Sequence, residues 1–141
     1  SYELRTYDVD ENDLSGETVA DKIGMPYGQV FKTLVARGDK TGHLIACVPV
    51  DSELDLKALA KASGNKKTEM APLKDVQGLT GYIRGGVSPV GTKKPYPVYM
   101  DGSAKNWPVI SLSAGVRGCQ MLVAPGNLEN VLGILFCPLA K

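Results

Sequence analysis

The stretch from residue 30 to residue 50 constrains the fold most strongly, because it has the pattern of two strands joined by a tight turn. Residues 30–37 alternate between two faces, as a half-buried strand does. Residues 38–42 contain two glycines, an aspartate and a lysine, which is typical of a hairpin turn. Residues 44–50 are nearly all apolar, as expected of a central strand that is buried on both faces.

Capping residues and glycine stops predict four short helices. Ser15 can cap the first helix, and Gly24 ends it. Ser52 with Asp55 three residues later resembles a capping box for the second helix. Pro72 suits the first turn of the third. The four predicted helices span residues 16–23, 53–62, 72–77 and 127–132.

Short strands separate these helices, and several neighbouring strands look hairpin-linked. This mixture predicts the α+β class, with a twisted sheet that is mixed or mainly antiparallel and is flanked by short helices. We expect one domain over residues 1–141. Besides the hairpin, strands are predicted at residues 2–9, 66–70, 97–100, 109–113 and 119–124, and the apolar tail at 134–139 must pack on the rest.

Composition excludes several functional classes. The net charge of +1 leaves no global basic field of the kind that a dedicated DNA-binding protein carries. The chain has three widely spaced cysteines, Cys47, Cys119 and Cys137. Because their number is odd, we expect no disulfide framework, and we expect the protein to reside in the reducing cytoplasm. No apolar run reaches the roughly 18 residues of a membrane span, and no signal peptide is recognised.

A glycine-rich segment at residues 81–94 is the most unusual stretch of the chain. Gly85 and Gly86 can adopt positive φ and let another backbone or a ligand approach closely. Pro89 then stiffens the exit of the segment. Such a loop suits a ligand with carbonyl or phosphate oxygens. Composition alone favours a simpler interpretation, in which the segment is an ordinary glycine-rich connection between two strands.

A search for familiar catalytic and metal-binding patterns excludes most of them. His43 is the one histidine, and with three scattered cysteines it forms no zinc-binding spacing. Neither a G-x-S-x-G elbow nor a P-loop is present. A Ser-His-Asp triad would have to use His43, which lies beside the predicted hairpin turn. The sequence therefore predicts no bound metal and no cofactor.

Lys32 stands out because it lies in the middle of a predicted strand. A lysine there either opens into a cleft or guards an edge strand against aggregation, and the pattern does not decide between them. Ser111 and Ser113 share one strand face, and Tyr7 could offer a phenol to a pocket. Several cations could surround a cleft and bind phosphates, although each alone is typical surface charge: Lys66, Lys67, Arg84, Lys93, Lys94 and Arg117.

Taken together, these residues resemble the YbaK/EbsC proteins and the related editing domain of bacterial prolyl-tRNA synthetase. The resemblance covers nearly the whole chain in order. Its most specific parts are the Lys32-Thr33 pair and the loop that runs from Gly85 to Pro89. The other matching segments are residues 54–60, 64–71, 80–82, 109–118 and Leu122.

The resemblance implies a cytoplasmic trans-editing enzyme that hydrolyses the ester of a mischarged tRNA, with Cys-tRNA(Pro) as the favoured substrate. It also implies a pocket between loops of a twisted, mixed sheet. By position, Lys32 would hold the phosphate of the terminal adenosine, and Gly85 would present its backbone to the substrate carbonyl or ribose. The catalytic residues would be Lys32, Gly85 and Ser113, and the substrate-binding residues Tyr7, Thr33, Gly86, Ser88, Pro89, Gln120 and Arg117.

Two departures from the family pattern bear on this reading. Many family members have an aspartate where Gln120 stands, and a helix usually precedes the first strand. Two alternatives stay open: a non-catalytic module that binds an aminoacyl-nucleotide or a tRNA 3′ end, and an Ala-tRNA(Pro) deacylase. The expected partners are the aminoacyl end of tRNA and, in a weak complex, prolyl-tRNA synthetase, with neither DNA nor a membrane involved.

Overall fold

A computed structural model of the chain describes residues 2–141. In this range the chain forms eight strands and four α-helices. The strands are β1 (Tyr2–Thr6), β2 (Phe31–Gly38), β3 (Gly42–Pro49), β4 (Thr68–Met70), β5 (Val98–Asp101), β6 (Ile110–Ser113), β7 (Cys119–Val123) and β8 (Leu135–Cys137). The helices are α1 (Gly16–Ile23), α2 (Leu56–Ser63), α3 (Leu73–Thr80) and α4 (Pro125–Leu132).

The strands form two sheets. One has the order β4-β2-β3-β5-β8, with antiparallel pairing around β2 and parallel pairing from β3 to β8. The other has the order β1-β7-β6 and is antiparallel throughout. A single bridge between Val30 and Ser111 connects them. The predicted α+β class with mixed pairing and short flanking helices is confirmed, although the strands divide between two sheets because the β6–β7 hairpin pairs with the N-terminal strand.

Strand β3 is buried on both faces, as its apolar sequence predicted. Ile45 and Cys47 face a core shared with the inner residues of β5 and β6, such as Met100 and Leu112. The alternate residues of β3 face a second core, which α2 covers with Leu59. The β2–β3 hairpin is therefore the layer on which the rest of the fold is assembled.

Helix α2 begins later than the capping-box pattern predicted. Asp55, and not Ser52, is the N-cap, since its carboxylate accepts the N–H groups of Lys57 and Ala58 at 3.1 Å each. The segment before it stays extended because the N–H of Asp55 donates to the carbonyl of Leu139 at 2.7 Å. Helix α3 begins after Pro72 as predicted but continues to Thr80, and the apolar tail forms β8.

The side chain of Asn65 ties the β2–β3 turn to the connection between α2 and β4. Its oxygen accepts the N–H of Lys40 at 2.8 Å, and its nitrogen donates to Ser63 at 2.7 Å. It fills the space that a Cβ at Gly38 would need. Strand β4 pairs only with the last residues of β2, from Ala36 to Gly38. The first half of β2 therefore keeps an open edge.

Candidate active site

A cavity of about 360 Å³ lies along this open edge of β2. Helix α1 forms one wall, α3 and residues 84–87 form another, and β6 and β7 contribute Ser113 and Gln120. Six of the lining residues are valines: Val19, Val30, Val35, Val50, Val76 and Val87. The cavity therefore suits a ligand with a small apolar part and a few polar groups.

The backbone of Thr33 faces the cavity side of β2. The carbonyl of Val35 accepts the N–H of Ala71 at 3.0 Å on this side. Backbone groups of successive strand residues point to alternate sides, so those of Thr33 point the same way as those of Val35. The described strands leave this edge unpaired between the Val30–Ser111 bridge and β4. An amide donor and a carbonyl acceptor are thus available to a ligand.

Lys32 lines the cavity and is half-buried. Within residues 2–141 no carboxylate lies within ion-pair distance of its ammonium group. Lys32 therefore opens into a cleft, and it does so on the part of β2 whose edge the described strands leave unpaired, so the structure has both features that the sequence left open. A compact ammonium without a protein partner is suited to a phosphate.

The hydroxyl of Thr33 and the thiol of Cys47 are neighbours, with the thiol donating across 3.7 Å. Burial raises the pKa of the Cys47 thiol to about 12. The nucleophilic form of cysteine is the thiolate, so this residue is chemically inert at neutral pH. It is part of the core and does not line the cavity.

A cluster of polar side chains on β6 and β7 lies at the cavity, where Ser113 and Gln120 line it. Ser111 donates to the side-chain oxygen of Gln120 at 2.8 Å, and both residues are buried. The amide nitrogen of Gln120 makes no hydrogen bond with the described part of the chain and stays available to a ligand. Ser113 pairs with Gln120 in the strand register, and its hydroxyl accepts the N–H of Gly115 at 3.1 Å.

The glycine-rich segment packs closely on the loop that follows β6. Gly85 has a φ of +84°, which favours glycine. A Cβ on Gly86 would lie 3.2 Å from the backbone nitrogen of Arg117. The Nε of Arg117 donates to the carbonyl of Arg84 at 2.7 Å. The two loops therefore hold each other, and Gly85 is presented to the cavity in a fixed conformation.

Further contacts fix the rest of this segment. Ser88 is buried, and its hydroxyl accepts the N–H of Val90 at 3.2 Å. Tyr82 donates to the carbonyl of Val90 at 2.5 Å. Pro89 is buried beside them. These hydrogen bonds hold the glycine-rich segment in one conformation beside the cavity.

Comparison with known proteins identifies the family. A model of the aminoacyl-tRNA editing domain matches residues 11–131. The chain belongs to this family. It is 54% identical over 115 residues to EbsC of Enterococcus faecalis, which carries the provisional name Cys-tRNA(Pro)/Cys-tRNA(Cys) deacylase; the match covers 82% of the chain and 70% of EbsC.

Two further likenesses point the same way. A proline–tRNA ligase of Thermosipho africanus is 32% identical over 78 residues, which is 55% of the chain and 14% of the ligase. A crystal structure provisionally described as a trans-editing enzyme for prolyl tRNA synthetase superposes with a TM-score of 0.86 at 26% identity, covering 99% of this chain and 87% of the other. The resemblance found in the sequence is confirmed.

The editing domain brings five of the predicted site residues together around its cavity: Lys32, Thr33, Gly85, Ser113 and Gln120. Four others do not line the cavity and lie in the loops next to it: Gly86, Ser88, Pro89 and Arg117. Tyr7 lines a small cleft that shares Leu14, Val19 and Gly85 with the cavity, and its N–H donates to the carbonyl of Gly118 at 2.9 Å.

Sequence reasoning missed Glu17, which lines the cavity from the first turn of α1. An acidic residue in the first turn is common because it complements the helix dipole. That ordinary role hides any further one in the sequence. Only the packing of α1 along the open edge of β2 reveals that Glu17 borders the site.

The described residues hold no group of three His, Cys, Asp or Glu side chains arranged to bind a metal ion. In residues 2–141, every helix is too short or too polar to span a bilayer. The three cysteines are free.

Proposed function

We propose that this protein is a trans-editing deacylase that hydrolyses the aminoacyl ester of mischarged tRNA, with Cys-tRNA(Pro) as its preferred substrate. The observation that carries the proposal is the cavity, which gathers Lys32, Thr33, Gly85, Ser113 and Gln120 in a member of the aminoacyl-tRNA editing family. The name of EbsC, at 54% identity, supports the choice of substrate.

The cavity would offer complementary groups to several polar parts of an aminoacyl-adenosine 5′-phosphate. Lys32 would bind the phosphate of the terminal nucleotide. The open backbone edge at Thr33 and the amide nitrogen of Gln120 would donate to the ester carbonyl or to the ribose. Gly85 allows the substrate to approach the loop backbone. The aliphatic walls would enclose a small amino-acid side chain.

Hydrolysis in this site would rest on positioning and on donors that face the developing oxyanion. An aminoacyl ester is already activated, so orientation supplies much of the rate. Ser113 has no histidine beside it, since His43 lies in a separate groove with Arg37 and Glu69. The attacking group is then the thiol of the cysteinyl substrate or a water molecule.

With a cysteinyl ester, the substrate sulfur would attack its own carbonyl carbon. A carbon–sulfur bond forms, the carbon–oxygen bond to the ribose breaks, and the ribose oxygen takes the proton that the thiol gives up. Water then opens the resulting cyclic thioester to free cysteine.

A deacylation assay tests the proposal. Cys-tRNA(Pro), Ala-tRNA(Pro) and Pro-tRNA(Pro) are incubated separately with the purified protein, and the loss of the aminoacyl group is followed. We expect fast loss of cysteine and little loss of proline. Preferential loss of alanine would assign the protein as an Ala-tRNA(Pro) deacylase. Tight binding of these tRNAs without any turnover would instead assign a non-catalytic binding module.

We further propose that residues 1–141 act as one editing domain in the cytoplasm and form a weak complex with prolyl-tRNA synthetase. The net charge of +1 suits contact with the end of a tRNA more than with its whole length. The synthetase would then supply much of the tRNA selectivity. Co-sedimentation of the protein with the synthetase, with and without tRNA(Pro), tests this, and identical profiles of the mixed and separate proteins would refute it.

A further inference from the structure

Glu17 is the one acidic residue among the described residues that line the cavity. It lies in the first turn of α1, next to the cavity residues Gly16 and Val19. Its side chain is exposed, and no lysine, arginine or histidine of residues 2–141 lies within ion-pair distance of it. The site therefore has an anionic group on one wall that the fold itself does not neutralise.

The neighbouring carboxylates of this region are already engaged. Asp13 accepts the hydroxyl of Thr18 at 2.6 Å, and Asp21 accepts the hydroxyl of Tyr27 at 3.0 Å. These hydrogen bonds hold α1 and the turn that follows it. Glu17, between them in sequence, makes no side-chain hydrogen bond to the described chain. Its carboxylate is the one on α1 that remains available to a ligand.

An aminoacyl ester carries its own cation, because the α-amino group is protonated at neutral pH or somewhat below it. Moving an ammonium group into a largely aliphatic cavity is costly unless a counter-charge or acceptors receive it. Lys32 and Arg84, which also line the cavity, would repel it. Glu17 is the side chain of the lining that matches it in charge.

We propose that Glu17 binds the α-ammonium group of the aminoacyl moiety and makes the site selective for esters with a free amino group. The inference rests on the proposed function and adds to it a substrate class: unblocked aminoacyl esters, with N-acylated ones excluded. Lys32 at the phosphate and Glu17 at the ammonium would fix the direction in which the substrate lies. The acyl carbonyl would then be held between the two charges, beside Thr33 and Gln120.

A binding experiment tests this without depending on turnover. The ligand is 3′-(cysteinylamino)-3′-deoxyadenosine 5′-phosphate, in which an amide replaces the ester, together with its N-acetyl derivative. Affinities are measured by calorimetry for the wild-type protein, Glu17→Gln, Glu17→Asp and the control Glu11→Gln. Glu11 is an exposed acidic residue of the same region that does not line the cavity.

We expect the wild type to bind the free amine roughly 2- to 10-fold more tightly than the N-acetyl derivative, between the small gain from an exposed ion pair and the larger gain from a hydrogen bond to a charged group. Glu17→Gln should lose this preference by weakening the free amine only. Glu17→Asp should keep part of it, and Glu11→Gln all of it. Equal affinity of the wild type for both ligands, or an equal loss of both in Glu17→Gln, would overturn the inference.

Deacylation of Cys-tRNA(Pro) and N-acetyl-Cys-tRNA(Pro) by the same proteins separates the two proposals. A wild-type protein that cleaves neither ester refutes the proposed activity, while the binding data still decide the role of Glu17. A wild type that cleaves both esters at the same rate overturns the role of Glu17 and leaves the deacylase standing. Melting temperatures close to that of the wild type would show that the variants are folded.

Discussion

Lys32 carries the most direct test at the level of single residues. It lines the cavity, and no described carboxylate pairs with it, so Lys32→Ala would remove the proposed phosphate ligand without leaving a buried acid unpaired. We expect deacylation to fall at least about 10²-fold with little change in melting temperature. Lys32→Arg should restore little, because a planar guanidinium does not replace a compact ammonium in a small cavity.

The matched control for this test is Lys61→Ala. Lys61 is an exposed lysine in the last turn of α2 and does not line the cavity. Single-turnover rates on Cys-tRNA(Pro) should be the same for the control and the wild type. A folded Lys32→Ala variant that works at nearly the wild-type rate would remove Lys32 from the mechanism.

Cys47 predicts how stability depends on alkaline pH. Its thiol has a pKa of about 12 in the folded protein because burial disfavours the thiolate, against 9.0 for an unperturbed thiol. The unfolded chain therefore releases this proton first, so the contribution is complete below pH 9 and is lost as pH rises from 9 towards 12. The slope from one such group is at most about 1.4 kcal/mol per pH unit.

The measurement is urea unfolding of the wild type and of Cys47→Ala at several values between pH 8 and pH 11. Lysines and tyrosines titrate in the same window, but both proteins share them. We expect the alanine variant to be less stable at pH 8, by about 1 kcal/mol for the lost packing, and the difference to shrink as pH rises and to change sign at about pH 10. A difference that stays constant with pH would show that the native thiol ionises normally.

At the level of elements, the pinned glycine-rich segment is the part that a single side chain should disrupt. Gly85 has a φ of +84°, whereas a Cβ there would meet its neighbours only at 3.4–3.5 Å, which is ordinary contact. The cost of Gly85→Val would thus be conformational strain, which is largest for a β-branched residue. We expect deacylation to be lost in a protein that still folds.

Gly78→Ala provides the comparison in the adjacent helix. Gly78 lies inside α3, with open space where a Cβ would be, so alanine should raise stability by up to about 1 kcal/mol and leave activity unchanged. Rates on Cys-tRNA(Pro) and melting curves for both variants decide the matter. Full activity of Gly85→Val would mean that this segment only connects α3 to β5.

Local signals predicted the elements well where one interpretation dominated. Ser15 and Gly24 bound α1 as expected, because the cap and the stop act within a few residues. The predicted start of α2 was wrong because Ser52 and Asp55 are both residue types that cap helices well. The choice depends on a long-range bond from the N–H of Asp55 to Leu139, which no local pattern contains.

The site was predicted in part for the same reason. Residues whose types carry chemistry, such as Lys32 and Ser113, could be chosen from their position on strands and from the family resemblance. That Arg117 holds the loop at Arg84, and that Glu17 borders the cavity, depends on how distant segments pack. Sequence periodicity gives faces of elements but not which faces meet.

For the whole molecule, the decisive feature is that no cysteine or histidine of residues 2–141 lines the cavity. Of the three cysteines, Cys47 is inert, and burial raises the pKa of Cys137 as well. The hydroxyls of Thr33 and Ser113 have no histidine as a base, since His43 lies in a different groove. We therefore expect the proposed deacylase to depend on the reactivity of its substrate.

This dependence predicts a sharp preference between nearly isosteric substrates. The thiol of a cysteinyl ester is held within reach of its own carbonyl, which gives it a large effective concentration, whereas a serine hydroxyl is a far weaker nucleophile at neutral pH. We expect Cys-tRNA(Pro) to be cleaved at least about 10²-fold faster than Ser-tRNA(Pro) in single-turnover assays.

Replacing Cys47, Cys119 and Cys137 together by alanine should leave this ratio unchanged in protein that still folds. Equal rates on cysteinyl, seryl and alanyl esters would instead indicate attack by a water molecule. The donors at Thr33 and Gln120 would then assist the reaction only by polarising the ester carbonyl.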